Sequence, residues 1–157
     1  MKRICVGILF VLGFVRPASA SLLRLTPFAG VTYPDARGSY GIQLGIGGGL
    51  LLGFEGEIYR VPEKDLDPSA TFYTAGLRIQ PPLPIAISPY LAAGLGTLRE
   101  NHGDSTDSYF ISDIGGGAEV KLADHVSIQG EYRVFHASSH RDPSNFKRLS
   151  FGLGLKF

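Results

Sequence analysis

An all-β chain, its eight antiparallel strands closed as an up-and-down barrel, is the fold class this sequence predicts. Three observations predict it. Segments of alternating apolar and polar residues recur from about residue 22 to residue 157. The connections between them alternate long and short, as in a meander whose two ends differ in character. Beyond residue 20 no segment of useful length carries an amphipathic helical period.

The first strand, about Leu22 to Tyr33, sets Leu23, Leu25, Ala29 and Val31 on one face. A polar tip, Pro34 to Gly38, leads to the second, Ser39 to Gly47, which aligns Tyr40, Ile42, Leu44 and Ile46. Gly47-Gly48-Gly49 makes a tight turn. The third strand, Leu50 to Val61, turns Leu52, Phe54 and Ile58 one way and Glu55 and Glu57 the other. After the polar connection Pro62 to Ser69, the fourth (Ala70 to Gln80) aligns Tyr73, Ala75, Leu77 and Ile79, and Pro81 to Pro84 turn the chain back. The fifth, Ile85 to Arg99, aligns Leu91, Ala93 and Leu95. Glu100 to Ser108 is the most polar connection. The sixth strand, Tyr109 to Leu122, alternates Phe110, Ile114, Ala118 and Val120 with Asp113, Gly115, Gly117 and Glu119. Ala123 to His125 form a short turn into the seventh, Val126 to His136. The connection Ala137 to Asn145 precedes the closing strand, which ends Ser150-Phe151-Gly152-Leu153-Gly154-Leu155-Lys156-Phe157. An even strand number returns both ends of the barrel domain, residues 21–157, to one side.

The first 20 residues read as a cleaved secretory signal: Lys2 and Arg3, an apolar run from Ile4 to Val15, and the small-residue site Ala18-Ser19-Ala20. A run of twelve is short of the ~20 residues a spanning helix needs. Cleavage removes three bases, so the formal charge moves from +1 to about −2, with 12 bases left against 14 acids. It also removes Cys5, the only cysteine, and with it any disulfide, thiol nucleophile or cysteine metal site. No basic block points to nucleic acid.

Period 2 leaves open which face is inside. The polar face carries Arg24, Arg78, Lys121, Arg133 and Lys156 against Glu55, Glu57, Asp113, Glu119 and Glu131. Five bases and five acids in a narrow lumen must pair, because an unpaired buried charge is costly. Glycines on the same face, such as Gly45, Gly94, Gly117 and Gly154, leave room for those long side chains. A soluble secreted binding barrel would reverse the faces and have no use for bare glycine on its exterior. The expectation is therefore a transmembrane β-barrel with a charge-paired, closed interior. Such an interior is filled by its side chains and carries no steady conductance.

The closing strand resembles the C-terminal assembly signal of bacterial outer-membrane barrels, a pattern that Ser150, Gly152, Leu155 and Phe157 fill. With Pro89-Tyr90, Gly94-Leu95-Gly96 and Glu131-Tyr132-Arg133, the chain is similar to the small outer-membrane β-barrel superfamily of the OmpA transmembrane-domain and OmpX type. That resemblance implies residence in the bacterial outer membrane and a structural or surface-interaction role. It also implies lipid and lipopolysaccharide as surroundings, the barrel-assembly machinery as a partner, a monomer, and no cofactor.

Two further constellations call for weighing. His136 and Ser138 resemble the His-x-Ser of outer-membrane lipid A deacylases, in which the serine attacks a lipid ester and the histidine is the base. Ser139 stands where that family has asparagine, and Lys147 or Leu149 where it has an orienting glutamate. A strand ending in polar residues at headgroup level is the favoured reading; the lipid-ester hydrolase is the alternative. The histidines lack metal-ligand geometry, since the spacing of His136 and His140 suits a helix rather than a strand. At the loop side, connections two and three are acidic (Glu63, Asp65, Asp67; Glu100, Asp104, Asp107) and the fourth is basic. Arg60, Arg99, Arg141, Lys147 and Arg148 are the residues expected to contact lipopolysaccharide phosphates.

Overall fold

The computed structural model describes residues 23–47, 51–63, 68–81, 83, 86–102, 105–138 and 144–157. The expected signal segment, the glycine pair Gly48 and Gly49, and the loop residues Asp65, Asp67, Asp104, Ser139, His140, Arg141 and Asp142 lie outside them.

Eight strands form one closed barrel in chain order: β1 (Leu23–Tyr33), β2 (Arg37–Ile46), β3 (Leu52–Val61), β4 (Ser69–Ile79), β5 (Ile87–Asn101), β6 (Thr106–Ala123), β7 (Val126–Ala137) and β8 (Asn145–Lys156). Every neighbour is antiparallel, and β1 pairs with β8 to leave no edge. Strands of 10 to 18 residues are ample for a tilted membrane crossing, which needs ~9–11.

The largest departure from the sequence reading is the β5–β6 hairpin. Its ladder runs on to Asn101 and Thr106, so most of the expected polar connection is strand and the turn is closed by the His102 N–H on the Ser105 carbonyl, 2.9 Å away. Backbone pairing needs no apolar side chains, so a polar hairpin can project beyond the apolar belt. At the same rim Arg37, expected in the first tip, opens β2. Its guanidinium donates to the Pro62 and Pro68 carbonyls, tying the first hairpin to the second.

The alternation resolves as apolar outside and charged inside. Leu91, Ile114 and Phe54 are 64–66 % exposed on the outer surface, whereas Glu55, Asp113 and Arg133 on the opposite parity are buried. A continuous apolar belt of that kind belongs against lipid and not water. Pro27 interrupts the β1–β8 ladder, having no N–H to donate, yet the register on either side of it is unbroken, from Arg24 opposite Lys156 to Phe28 opposite Gly152. Beyond β8 the Phe157 N–H still donates to the Leu23 carbonyl, at 2.9 Å, so the terminal aromatic belongs to the closing seam.

Candidate functional site

The barrel interior is built from the inward residues of all eight strands, and it divides by level. Nearest the terminal end, Glu119 of β6 is surrounded by three cations: Arg24 of β1 at 3.2 Å, Arg78 of β4 at 3.1 Å, and Lys156 of β8. Arg78 also donates to Gln129 Oε1 at 3.1 Å and lies 3.4 Å over the Tyr90 ring. Halfway along, Arg133 of β7 donates to Asp113 and to Glu131, each at 3.0 Å, and to Glu55. The Tyr90 hydroxyl gives Glu131 a further hydrogen bond at 3.0 Å. Gln129 donates to Gln43 at 3.1 Å, and Gln43 to Glu55 at 3.3 Å, linking the two levels.

Toward the loop end, Arg148 of β8 makes a two-pronged contact with Glu57 and reaches Glu131 at 2.8 Å. Its guanidinium plane sits 4.4 Å from both the Phe28 and the Tyr59 rings. Above it the polar lumen gives way to a plug of aromatic and aliphatic side chains. Tyr59 stacks on Phe72 with ring centroids 4.2 Å apart, and Phe135, Phe146, Leu98 and Ile111 close around them. An arginine bridging carboxylates below and aromatic faces above suits this boundary, since a guanidinium both forks to oxygen and stacks on rings.

Nine of the ten residues expected in the lumen network are there. The exception is Lys121, which is exposed at the terminal end of β6 next to a bulge between Lys121 and Ala123. Its register is still inward, opposite the buried Ser127, but it stands at the mouth of the barrel, where a lysine reaches water at little cost. Its place as fifth cation is taken by Arg148, so the ion-paired network described above still has five bases and five acids. Arg148 was expected to contact lipopolysaccharide at the rim; it is fully buried instead. Its parity could have shown this, for Lys147 and Leu149 point outward. Gln43, Gln129 and Tyr90 share that inward parity and were missed because they carry no charge. The aromatic plug was missed too, although Tyr59 and Phe72 fall on the polar parity of β3 and β4. Two glycines do make room as expected: a Cβ on Gly45 would stand 3.1 Å from the Arg24 guanidinium, and one on Gly117 would stand 2.7 Å from the Tyr90 hydroxyl.

The remaining candidates are dispersed. Arg60 on β3 and Arg99 on β5 are exposed on the outer surface on either side of β4, and Lys147 lies on β8, away from both. Among the described residues, the cations expected at the basic rim therefore do not form a continuous patch. Of the assembly-signal residues, Ser150 is buried in the lumen, Gly152 packs inward against β1, and Leu155 and Phe157 are on the outer face.

His136 is exposed, and its Nδ1 lies 2.9 Å from the Asn145 side-chain oxygen, the residue opposite it in register. The neighbour that would decide for catalysis is thus an amide and not an acid. An amide can hold the ring, but it carries no charge to stabilise the imidazolium that a serine hydrolase forms. Ser138 lies just past β7, where its N–H donates to the Phe110 carbonyl at 2.9 Å, and no hydrogen bond joins its hydroxyl to His136. Among the described residues, no group of three His, Cys, Asp or Glu side chains could hold a metal ion.

A family model for the outer membrane protein β-barrel domain matches residues 19–157. No curated protein sequence gives a significant match. Among solved structures, the chain is similar to Neisserial surface protein A (16 % identity, TM-score 0.69, covering 86 % of this chain and 96 % of that one). It is similar to the N-terminal β-barrel domain of Pseudomonas aeruginosa OprF (14 %, TM-score 0.70, with the same coverage). The outer membrane enzyme PagL is a more distant likeness (13 %, TM-score 0.56, covering 85 % of this chain and 99 % of that one). At these identities the likenesses speak to fold alone.

Proposed function

The chain belongs to the outer membrane β-barrel domain family, and from that premise we propose that it works as a closed barrel of the bacterial outer membrane. Its role is structural or interactive, exerted through its outer surface and loop-end rim rather than through its lumen. On this reading residues 1–20 are a secretory signal, the closing strand is read by the barrel-assembly machinery, and the barrel is a monomer. Its partners are lipid and lipopolysaccharide, and Arg60, Arg99 and Lys147 are the described cations at the rim that can meet phosphate.

The observation that carries the reading is the filled interior. Every strand contributes to one connected set of ion pairs and hydrogen bonds, and an aromatic plug lies across the loop-end half. Moving a solute through would require parting several buried pairs together, and breaking a buried pair costs about 3–5 kcal/mol. In a swelling assay, liposomes containing the purified barrel should take up small sugars no faster than protein-free liposomes. Swelling at porin-like rates would refute the closed barrel.

A further inference from the structure

On the outer wall, strands β2 to β5 carry an apolar crevice. Gly56 and Ala75 lie side by side in register on β3 and β4. Leu44 stands beyond Gly56 on β2, and Leu95 beyond Ala75 on β5. Two small residues between two leucines leave a crevice of about 550 Å³, walled toward the loop end by Ile58 and Tyr73. Its floor is open: a Cβ added at Gly56 would meet only the Thr74 carbonyl oxygen, at 3.8 Å.

Further up the same outward columns, Arg60, Thr71 and Arg99 form one lateral row across β3, β4 and β5. The two arginines are two strand spacings apart, about 10 Å between backbones. Among the described residues, neither has a carboxylate within ion-pair distance. The Arg99 guanidinium leans over the Tyr73 ring, 5.7 Å from its centroid, and so toward the crevice. Two guanidinium groups with no carboxylate partner among the described residues therefore stand one outward row beyond the Ile58–Tyr73 wall of an apolar slot.

From this arrangement we infer that β2–β5 hold a specific seat for a phosphate-bearing membrane lipid, with Arg60 and Arg99 gripping the phosphorylated headgroup and one acyl chain lying over Gly56 and Ala75. The inference rests on the outer-membrane reading above and names the lipid class for that surface. Head and tail chemistry argue for lipid. A guanidinium fork matches phosphate oxygens, and an apolar slot beneath it takes a hydrocarbon chain whose neighbours it would otherwise leave loosely packed. Free phosphate would use the arginines and ignore the slot, and an uncharged lipid would do the reverse.

Native mass spectrometry of the detergent-purified barrel tests this with three probes: bisphosphorylated lipid A, the same lipid stripped of phosphate, and inorganic phosphate. One lipid A should be retained per barrel, and neither of the other probes. Arg60→Ala with Arg99→Ala should weaken retention about tenfold or more, the scale of losing charge-assisted contacts. Gly56→Leu fills the slot without altering charge and should weaken it similarly, as should Ala75→Leu. Gly130→Leu, an outward filling on β7 against Phe151, should leave it unchanged. Heat-modifiable gel migration identifies the folded variants, and Ala75→Leu carries the tail test should Gly56→Leu not fold. Wild-type retention in both slot-filled variants, equal retention of the phosphate-free lipid, or a lipid-free dimer would each overturn the seat. The closed-barrel proposal would still stand, and sugar uptake would sink that proposal without touching the seat.

Discussion

Arg148 shows most clearly what a single residue does in this barrel. It is fully buried, forked onto Glu57, bonded to Glu131 and stacked on Phe28 and Tyr59. Replacing Glu57 with Leu leaves that guanidinium only its Glu131 contact, so unfolding in lipid vesicles, followed by far-ultraviolet circular dichroism in urea, should show a loss of about 3–5 kcal/mol. Adding Arg148→Met should restore most of it, because a packed apolar pair can replace a buried ion pair at little net cost. A double variant no more stable than the single one would contradict this view of the pair. A second prediction concerns Ser138. With Asn145 rather than an acid at His136 Nδ1, purified protein should release no ester-linked acyl chain from lipopolysaccharide, and Ser138→Ala should change nothing measurable. Acyl release abolished by that substitution would restore the hydrolase.

At the scale of the strand, period 2 made most of the architecture readable. Eight strands, their order of long and short connections, and the inward carboxylates Glu55, Glu57, Asp113, Glu119 and Glu131 all follow from it. What it did not convey came from three physical sources. Backbone pairing is blind to polarity, so the β5–β6 hairpin continues through Asn101 and Thr106. Parity is blind to depth, so Lys121, opposite the buried Ser127, sits exposed at the terminal mouth of the lumen and outside its ion pairs. Tyr59, Phe72 and Phe135 sit on the nominally polar face, and alternation alone does not say that a lumen can be polar at one end and aromatic at the other. The closing seam makes a prediction at this scale. A Cβ on Gly152 would lie 2.8 Å from Thr26 Cγ2 and 2.9 Å from the Pro27 carbonyl, so Gly152→Leu should prevent β8 from docking on β1. On a gel the unheated variant should then migrate like the heated one, whereas wild type keeps a compact, fast form.

For the whole molecule, the apolar belt, the paired lumen and the absent sheet edge amount to one design. Each removes a cost that the bilayer would otherwise impose: polar groups in hydrocarbon for the wall, unpaired charge for the interior, and unsatisfied backbone for the strands. On the proposed reading, interaction falls to the wall and the rim. The most direct test is single-channel recording in planar bilayers containing the purified, folded barrel. The closed-barrel account predicts a flat baseline across physiological voltages; regular, porin-sized conductance steps would contradict it.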